Sequence, residues 1–155
     1  MSRAFVDESA SESREGDSPE LRIPLPPGAK NYVTPEGAAR TRAELDALLA
    51  APQPRLREAE RRIQYLSRMV SLMEVVAPSP RPAERVVFGA TVTVEEKGSG
   101  RRSYRIVGVD ESDPAAGRVS WISPIARALT GKRVGDTVVV DLPAQQLSLT
   151  VIAIA

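Results

Sequence analysis

The chain has 155 residues, and its 21 Lys and Arg residues nearly balance its 20 Asp and Glu residues, for a formal net charge of +1. This balance excludes a strongly basic nucleic-acid coat protein. The sequence contains neither Cys nor His, which excludes thiol nucleophiles, Ser-His-Asp triads and the usual zinc sites. No apolar run reaches the roughly 18 residues of a membrane span, and the start lacks the apolar core of a signal peptide. We expect a cytoplasmic protein with no cofactor and no metal site.

Residues 1–30 are predicted to form a disordered tail. Ser, Glu, Asp and Arg dominate as far as Glu20, which leaves little apolar surface to bury. The following segment, residues 23–28, is rich in proline and is expected to be extended. A solvated leader is the favoured interpretation, and a docking peptide is the alternative.

Residues 31–76 are predicted to form an antiparallel helical hairpin. Thr34 can cap the first helix and Pro35 suits its first position, but Gly37 stands where a capping box has Glu. Two prolines after Ala51 end this helix.

The second helix of the hairpin is predicted to begin near Arg55, after a connection too short for any but an antiparallel return. Its apolar residues alternate at spacings of three and four, which is typical of one side of a coiled coil. This apolar seam comprises Leu56, Ala59, Ile63, Leu66, Val70 and Met73.

Residues 77–83 are predicted to form a proline-rich linker, and residues 84–155 an α+β domain of about five antiparallel strands and one short helix. Ser123 and Pro124 form the start of the short helix, which ends at Leu129. The predicted strands cover residues 86–96, 101–109, 118–122, 137–142 and 147–154.

Over residues 31–155 the sequence resembles the GreA/GreB family of bacterial transcript-cleavage factors. The segments that carry the resemblance are NYVTPEG, VVFGATVTVEE, YRIVGVDESDP, SPIARAL and GKRVGD, in the order of the family. The resemblance implies an N-terminal antiparallel coiled coil that enters the secondary channel of bacterial RNA polymerase. It also implies an FKBP-like C-terminal domain that docks on the rim of that channel.

The family carries two acidic residues at the tip of the coiled coil, where they help to hold a second magnesium ion in the polymerase active site. Here the tip is Ala51-Pro52-Gln53-Pro54, which contains no carboxylate. The nearest acids, Asp46 and Glu58, lie about a turn from the bend and are expected to form solvated helix surface. No catalytic residue is therefore carried over, and we expect a regulator rather than an enzyme, similar in its logic to the short-armed regulator Rnk.

The resemblance also implies which residues bind RNA polymerase at the channel rim. This predicted surface comprises Ile122, Ser123, Pro124, Ile125 and Arg127. Ser-Pro is equally an ordinary helix start, and Trp121 beside it is expected to be a core residue. A second set of basic residues on the arm forms candidate contacts with phosphate or with an acidic channel wall: Arg55, Arg57, Arg61 and Arg62. The alternative for this set is an ion-paired, solvated helix face.

The implied partner is bacterial RNA polymerase, and we expect this chain to bind it as a monomer. We also expect an indirect contact with nascent RNA and competition with full-length Gre factors. Two other functions are weighed against this one. An FKBP-like prolyl isomerase or chaperone needs an aromatic-lined apolar pocket, but core packing already explains Phe88, Tyr104 and Trp121. Direct nucleic-acid binding without polymerase is disfavoured by the net charge of +1 and by the lack of an aromatic platform.

Overall fold

A computed structural model describes residues 21–155. The predicted tail therefore falls outside the described residues as far as residue 20, and residues 21–30 contain no helix or strand. Within residues 21–155, no helix combines the length and the apolar character that a membrane crossing demands.

Two helices form the N-terminal hairpin, α1 (Pro35–Ala50) and α2 (Arg57–Ser71). Thr34 caps α1 by accepting a hydrogen bond from the Gly37 N–H at 3.1 Å, with Pro35 in the first turn, as predicted. Cross-contacts show that the helices run antiparallel, because Arg62 pairs with Glu44 while Arg55 reaches the end of α1.

The second helix is shorter than predicted at both ends. Leu56 is its N-cap and is 79% exposed, so the apolar seam does not begin there. The buried face of α2 consists of Ile63, Leu66 and Met69.

Where the sequence predicted continued helix, residues 73–75 form strand β2 (Met73–Val75), which pairs in parallel with β1 (Asn31–Val33). The Asn31 side-chain amide fastens β1 to the end of α2 by donating to the Met69 carbonyl at 3.0 Å. Strands of three residues show no readable periodicity, which is why the pattern missed them.

The C-terminal domain contains a five-stranded sheet in the order β5-β4-β3-β7-β6, with the short helix α3 (Pro124–Leu129) against it. Its strands are β3 (Thr91–Glu96), β4 (Gly100–Val107), β5 (Arg118–Ser120), β6 (Thr137–Asp141) and β7 (Gln146–Ile154). The α+β class and the strand count agree with the prediction, but β4 and β5 pair in parallel, so the sheet is mixed. Residues 86–90, predicted as strand, form a turn at Gly89, whose φ is +84°.

One apolar cluster forms the centre of the domain, between the sheet and α3. Apolar side chains from β3, β4, β6 and β7 meet Ala126 and Leu129 of α3, both fully buried. This packing fixes the orientation of α3, so that its opposite face lies at the surface.

Candidate functional site

The predicted polymerase-binding residues lie on α3 and on the two residues that precede it. The Ser123 hydroxyl accepts a hydrogen bond from the Ala126 N–H at 3.3 Å, so its capping role is confirmed. Pro124 and Arg127 are exposed, whereas Ile122, Ser123 and Ile125 are half-buried.

A shallow cavity of about 330 Å³ lies beside the start of α3. It is lined by Ser123, Pro124 and Ile125 together with residues of the turn between β6 and β7, among them Leu142 and Gln145. Three of the five predicted residues, Ser123, Pro124 and Ile125, thus border one concave surface, whereas Arg127 lines a different cavity and Ile122 lines neither.

The four basic residues of the arm divide into two kinds. Arg55 and Arg62 are engaged within the hairpin, Arg62 by hydrogen bonds of 2.7 and 3.0 Å to the Glu44 carboxylate. This pairing lowers the pKa of Glu44 and raises the pKa of Arg62. Arg57 and Arg61 are exposed and have no ion pair within residues 21–155.

The end of the hairpin is closed by Arg55. Its Nε donates to the Leu48 carbonyl at 3.1 Å and its Nη2 to the Leu49 carbonyl at 2.8 Å. These carbonyls belong to the last turn of α1, and the Leu48 carbonyl also accepts the N–H of the cap residue Ala51 at 3.3 Å. Apolar side chains on both sides of the connection are exposed, since Leu49 near the end of α1 is 49% exposed and Leu56, the N-cap of α2, is 79% exposed.

The base of the hairpin contacts the C-terminal domain through groups that the sequence analysis did not single out. The Glu111 carboxylate, buried, accepts hydrogen bonds from the Thr34 N–H at 3.0 Å and from the Thr34 hydroxyl. The Tyr65 hydroxyl donates to Asp110 at 2.6 Å, and Tyr32 packs on Trp121 with ring centroids 5.3 Å apart. The sequence contains one sign of the Glu111 contact: the capping box lacks its Glu at Gly37. The Thr34 N–H therefore takes its acceptor from another part of the chain.

Several known proteins are similar to this chain in sequence. The family "Transcription elongation factor, GreA/GreB, C-term" matches residues 81–155. Transcription elongation factor GreB of Xanthomonas axonopodis pv. citri (strain 306) is 37% identical, covering 83% of this chain and 94% of the relative. GreB of Yersinia pestis is 46% identical, covering 57% of this chain and 52% of the relative. The structure of Gfh1 from Thermus thermophilus superposes with a TM-score of 0.42 at 22% identity, covering 81% of this chain and 99% of that one.

The chain is thus an α+β protein in which a helical hairpin is joined to a mixed sheet with a capped surface helix. Its family follows from the 37% identity to a GreB, an alignment that covers 94% of that relative. The chain belongs to the GreA/GreB family of transcription elongation factors.

Proposed function

We propose that this chain is an RNA polymerase-binding regulator that docks at the secondary-channel rim and does not stimulate transcript cleavage. Family membership supports RNA polymerase as the partner, and the exposed face of α3 supplies the candidate contact. In this role the chain acts in the cytoplasm as a monomer, is not itself an enzyme, and competes with full-length Gre factors for the same rim.

The closed tip of the hairpin is the observation that carries the proposal. Delivery of a second magnesium ion needs carboxylate oxygens within about 2.1 Å of the metal. The connection from Ala51 to Leu56 contains neither Asp nor Glu, and Arg55 donates hydrogen bonds to two carbonyls of the last turn of α1. The arm thus ends in a turn that is held by the hydrogen bonds of Arg55 and that has an apolar surface, rather than in an acidic loop.

The alignment with the Xanthomonas GreB is longer than the part of this chain that it covers. It extends over 158 positions, more than the 155 residues of this chain, yet it uses only 83% of the chain. The relative therefore has residues within the aligned region that this chain lacks. Each missing helical residue shortens an arm by about 1.5 Å, so a tip that stops early cannot place a ligand at the same depth.

Of the four predicted basic residues of the arm, Arg57 and Arg61 are the best suited to contact the channel wall or the phosphates of nascent RNA. Both are exposed, and neither is engaged in an ion pair within the described part of the chain. Arg55 and Arg62 support these contacts indirectly by stiffening the hairpin. We also propose that the arm is a coiled coil and that the C-terminal domain has an FKBP-like fold.

A stalled, backtracked elongation complex tests the proposal directly. RNA cleavage is measured with this protein alone, with a full-length Gre factor alone, and with both at increasing ratios. We expect no stimulation by this protein and dose-dependent inhibition of the full-length factor. An Arg127→Glu variant should lose the inhibition, whereas an Arg101→Glu variant, with the same charge change on β4, should keep it. Stimulation by this protein alone would refute the proposal.

A further inference from the structure

The N-terminal tail combines one large apolar side chain with a strong negative charge. Residues 1–20 contain six acidic and two basic residues, a net charge of −4, whereas residues 21–155 carry +5. The only aromatic residue of the tail, Phe5, is followed directly by Val6, Asp7 and Glu8. A segment of this composition matches an apolar cavity with a cationic rim, and it develops the docking-peptide alternative of the sequence analysis.

An aromatic cavity of about 440 Å³, which we call the junction pocket, lies where the base of the hairpin meets the C-terminal domain. Tyr32 and Val76 line it from the hairpin side, and Phe88, Ile106 and Trp121 line it from the domain. The Tyr32 and Trp121 rings meet edge to face, with their planes at 82°. Trp121, expected to be a core residue, is only partly buried, as is Phe88. The pocket therefore offers open ring surface on which a further aromatic side chain can pack.

The rim of the junction pocket is cationic. Arg127 lines the pocket, is exposed, and forms no ion pair within residues 21–155. Lys132 and Arg133 follow shortly after α3 and likewise lack an ion pair in the described part of the chain. Asp136 is bonded to the backbone N–H of Arg133, at 2.8 Å, rather than to a guanidinium. A segment with adjacent carboxylates is thus complementary to this rim.

The tail is attached to the protein beside the junction pocket. Lys30 is joined to Glu74 of β2 by an ion pair of 2.7 Å, and Tyr32, two residues further on, is part of the pocket wall. Phe5 lies 27 residues before Tyr32, so its entry into the pocket closes a loop of that length. The entropic cost of closure grows only slowly with loop length, and a segment tethered in this way reaches an effective concentration of about 1 mM.

We propose that Phe5 occupies the junction pocket of its own chain, with Asp7 and Glu8 paired to Arg127, and that this contact inhibits docking on RNA polymerase. The inhibitory part rests on the proposed function, since Arg127 belongs to the proposed contact surface. A tail that covers Arg127 removes this face from the partner, so the fraction of the protein that is competent to bind falls. The tail is in this sense a regulatory segment of the same site.

The sole Trp of the sequence reports on the tail contact without any partner, because Trp121 lines the junction pocket. Quenching of its fluorescence by acrylamide is measured in the full-length wild type and in Phe5→Ala. We expect quenching of the wild type to be at least about twofold weaker at low salt, as it would be if about half or more of the molecules are closed. The difference should shrink between 0.1 M and 1 M salt, because the screening length falls from about 10 Å to about 3 Å.

The charges of the tail provide a matched control. Asp7→Asn combined with Glu8→Gln removes the two carboxylates beside Phe5, and Asp17→Asn combined with Glu20→Gln makes the same change of charge farther along the tail. We expect only the first pair to raise the quenching toward that of Phe5→Ala. An equal effect of the two pairs would indicate a diffuse attraction between charged segments and would overturn the assignment to the pocket.

Binding to bacterial core polymerase tests the inhibition. We expect full-length Phe5→Ala to bind at least about twofold more tightly than the wild type at low salt, because the closed fraction no longer opposes docking. The Asp7→Asn and Glu8→Gln pair should behave in the same way, and the Asp17→Asn and Glu20→Gln pair should bind like the wild type.

The outcomes separate this inference from the proposed function. If the wild type and Phe5→Ala are quenched equally, the tail does not occupy the junction pocket, and the proposed function stands. If quenching differs but both proteins bind polymerase equally well, the inhibition is refuted. If neither binds polymerase, the proposed function fails, and the quenching still decides the tail contact. Protection of Trp121 that increases with protein concentration overturns the inference in favour of the tail of a second copy.

Discussion

The carboxylate of Glu111 completes the N-terminal cap of α1 from 77 residues away, by accepting the N–H of the cap residue Thr34 at 3.0 Å. In a capping box this N–H is satisfied by a Glu three residues into the same helix. Here that position is Gly37, and the acceptor comes from the C-terminal domain. The same oxygen of Glu111 accepts the Gly108 N–H at 2.9 Å, so one carboxylate serves two chain segments.

Position 37 requires glycine, because the Glu111 carboxyl group occupies the space that a side chain there would fill. A Cβ at position 37 would overlap the carboxyl group of Glu111. The carboxylate cannot easily move aside, because Thr34 and Gly108 hold it by hydrogen bonds. Arm and domain are therefore connected by a buried polar contact as well as by residues 77–83.

The first prediction is that Gly37→Ala destabilises the protein, against the ordinary preference of helices for Ala. In an open helix Ala is favoured over Gly by about 1 kcal/mol. Here the new Cβ displaces Glu111 and leaves buried N–H groups unpaired, at about 1–3 kcal/mol each. We expect a net loss of about 2 kcal/mol in the free energy of unfolding, measured by urea denaturation.

A double-mutant cycle provides the control for this prediction. Glu111→Ala alone should be strongly destabilising, because the Thr34 and Gly108 N–H groups lose their acceptor. In the Glu111→Ala background the overlap is gone, so Gly37→Ala should be neutral or stabilising. Purely additive effects of the two substitutions would show that the two residues do not interact. The same urea denaturation curves also test the predicted division into arm and domain. If the two are separate units, the helical signal of α1 is lost before that of the sheet.

The sequence predicted the contacts that depend on neighbouring residues and missed those that depend on the tertiary fold. Thr34 and Ser123 were identified as caps because the donor N–H lies only three residues away. Glu111 had no such local signature, since its partner is 77 residues distant. The contact between Tyr32 and Trp121 was equally hidden, because the two rings meet only after the hairpin packs on the domain.

The second prediction concerns the closed tip of the arm. Arg55→Ala should lower the helix content of α1 and cost about 1 kcal/mol, because two carbonyls of its last turn lose their charged donor. Arg55→Lys should recover only part of this loss, since an ammonium group cannot reproduce the two-pronged geometry. Circular dichroism and urea denaturation measure both effects. Arg57→Ala is the matched control, and an equal loss there would contradict the specific role of Arg55.

The third prediction is a pH dependence that originates at Tyr65. Burial, and then the hydrogen bond to Asp110, raise the pKa of Tyr65 above its ordinary value of 10.0. The folded chain thus favours the neutral phenol, and this contribution is complete below pH 10 and is lost as the pH rises toward the folded pKa. We expect the free energy of unfolding to fall more steeply between about pH 9 and about pH 11 in the wild type than in Tyr65→Phe. Parallel curves would exclude Tyr65 as the source.

The last prediction is that an acid placed at the tip does not restore transcript cleavage. Gln53→Glu supplies one carboxylate at the bend, but α1 still ends at Ala50 and the arm gains no length. A magnesium ligand must lie within about 2.1 Å of the ion, so a carboxylate held several ångströms short contributes nothing to the metal. The backtracked-complex assay should therefore show no cleavage with Gln53→Glu, although the variant still competes with a full-length Gre factor. Cleavage by this variant would mean that charge alone, and not the length of the arm, separates this chain from the cleavage factors of its family.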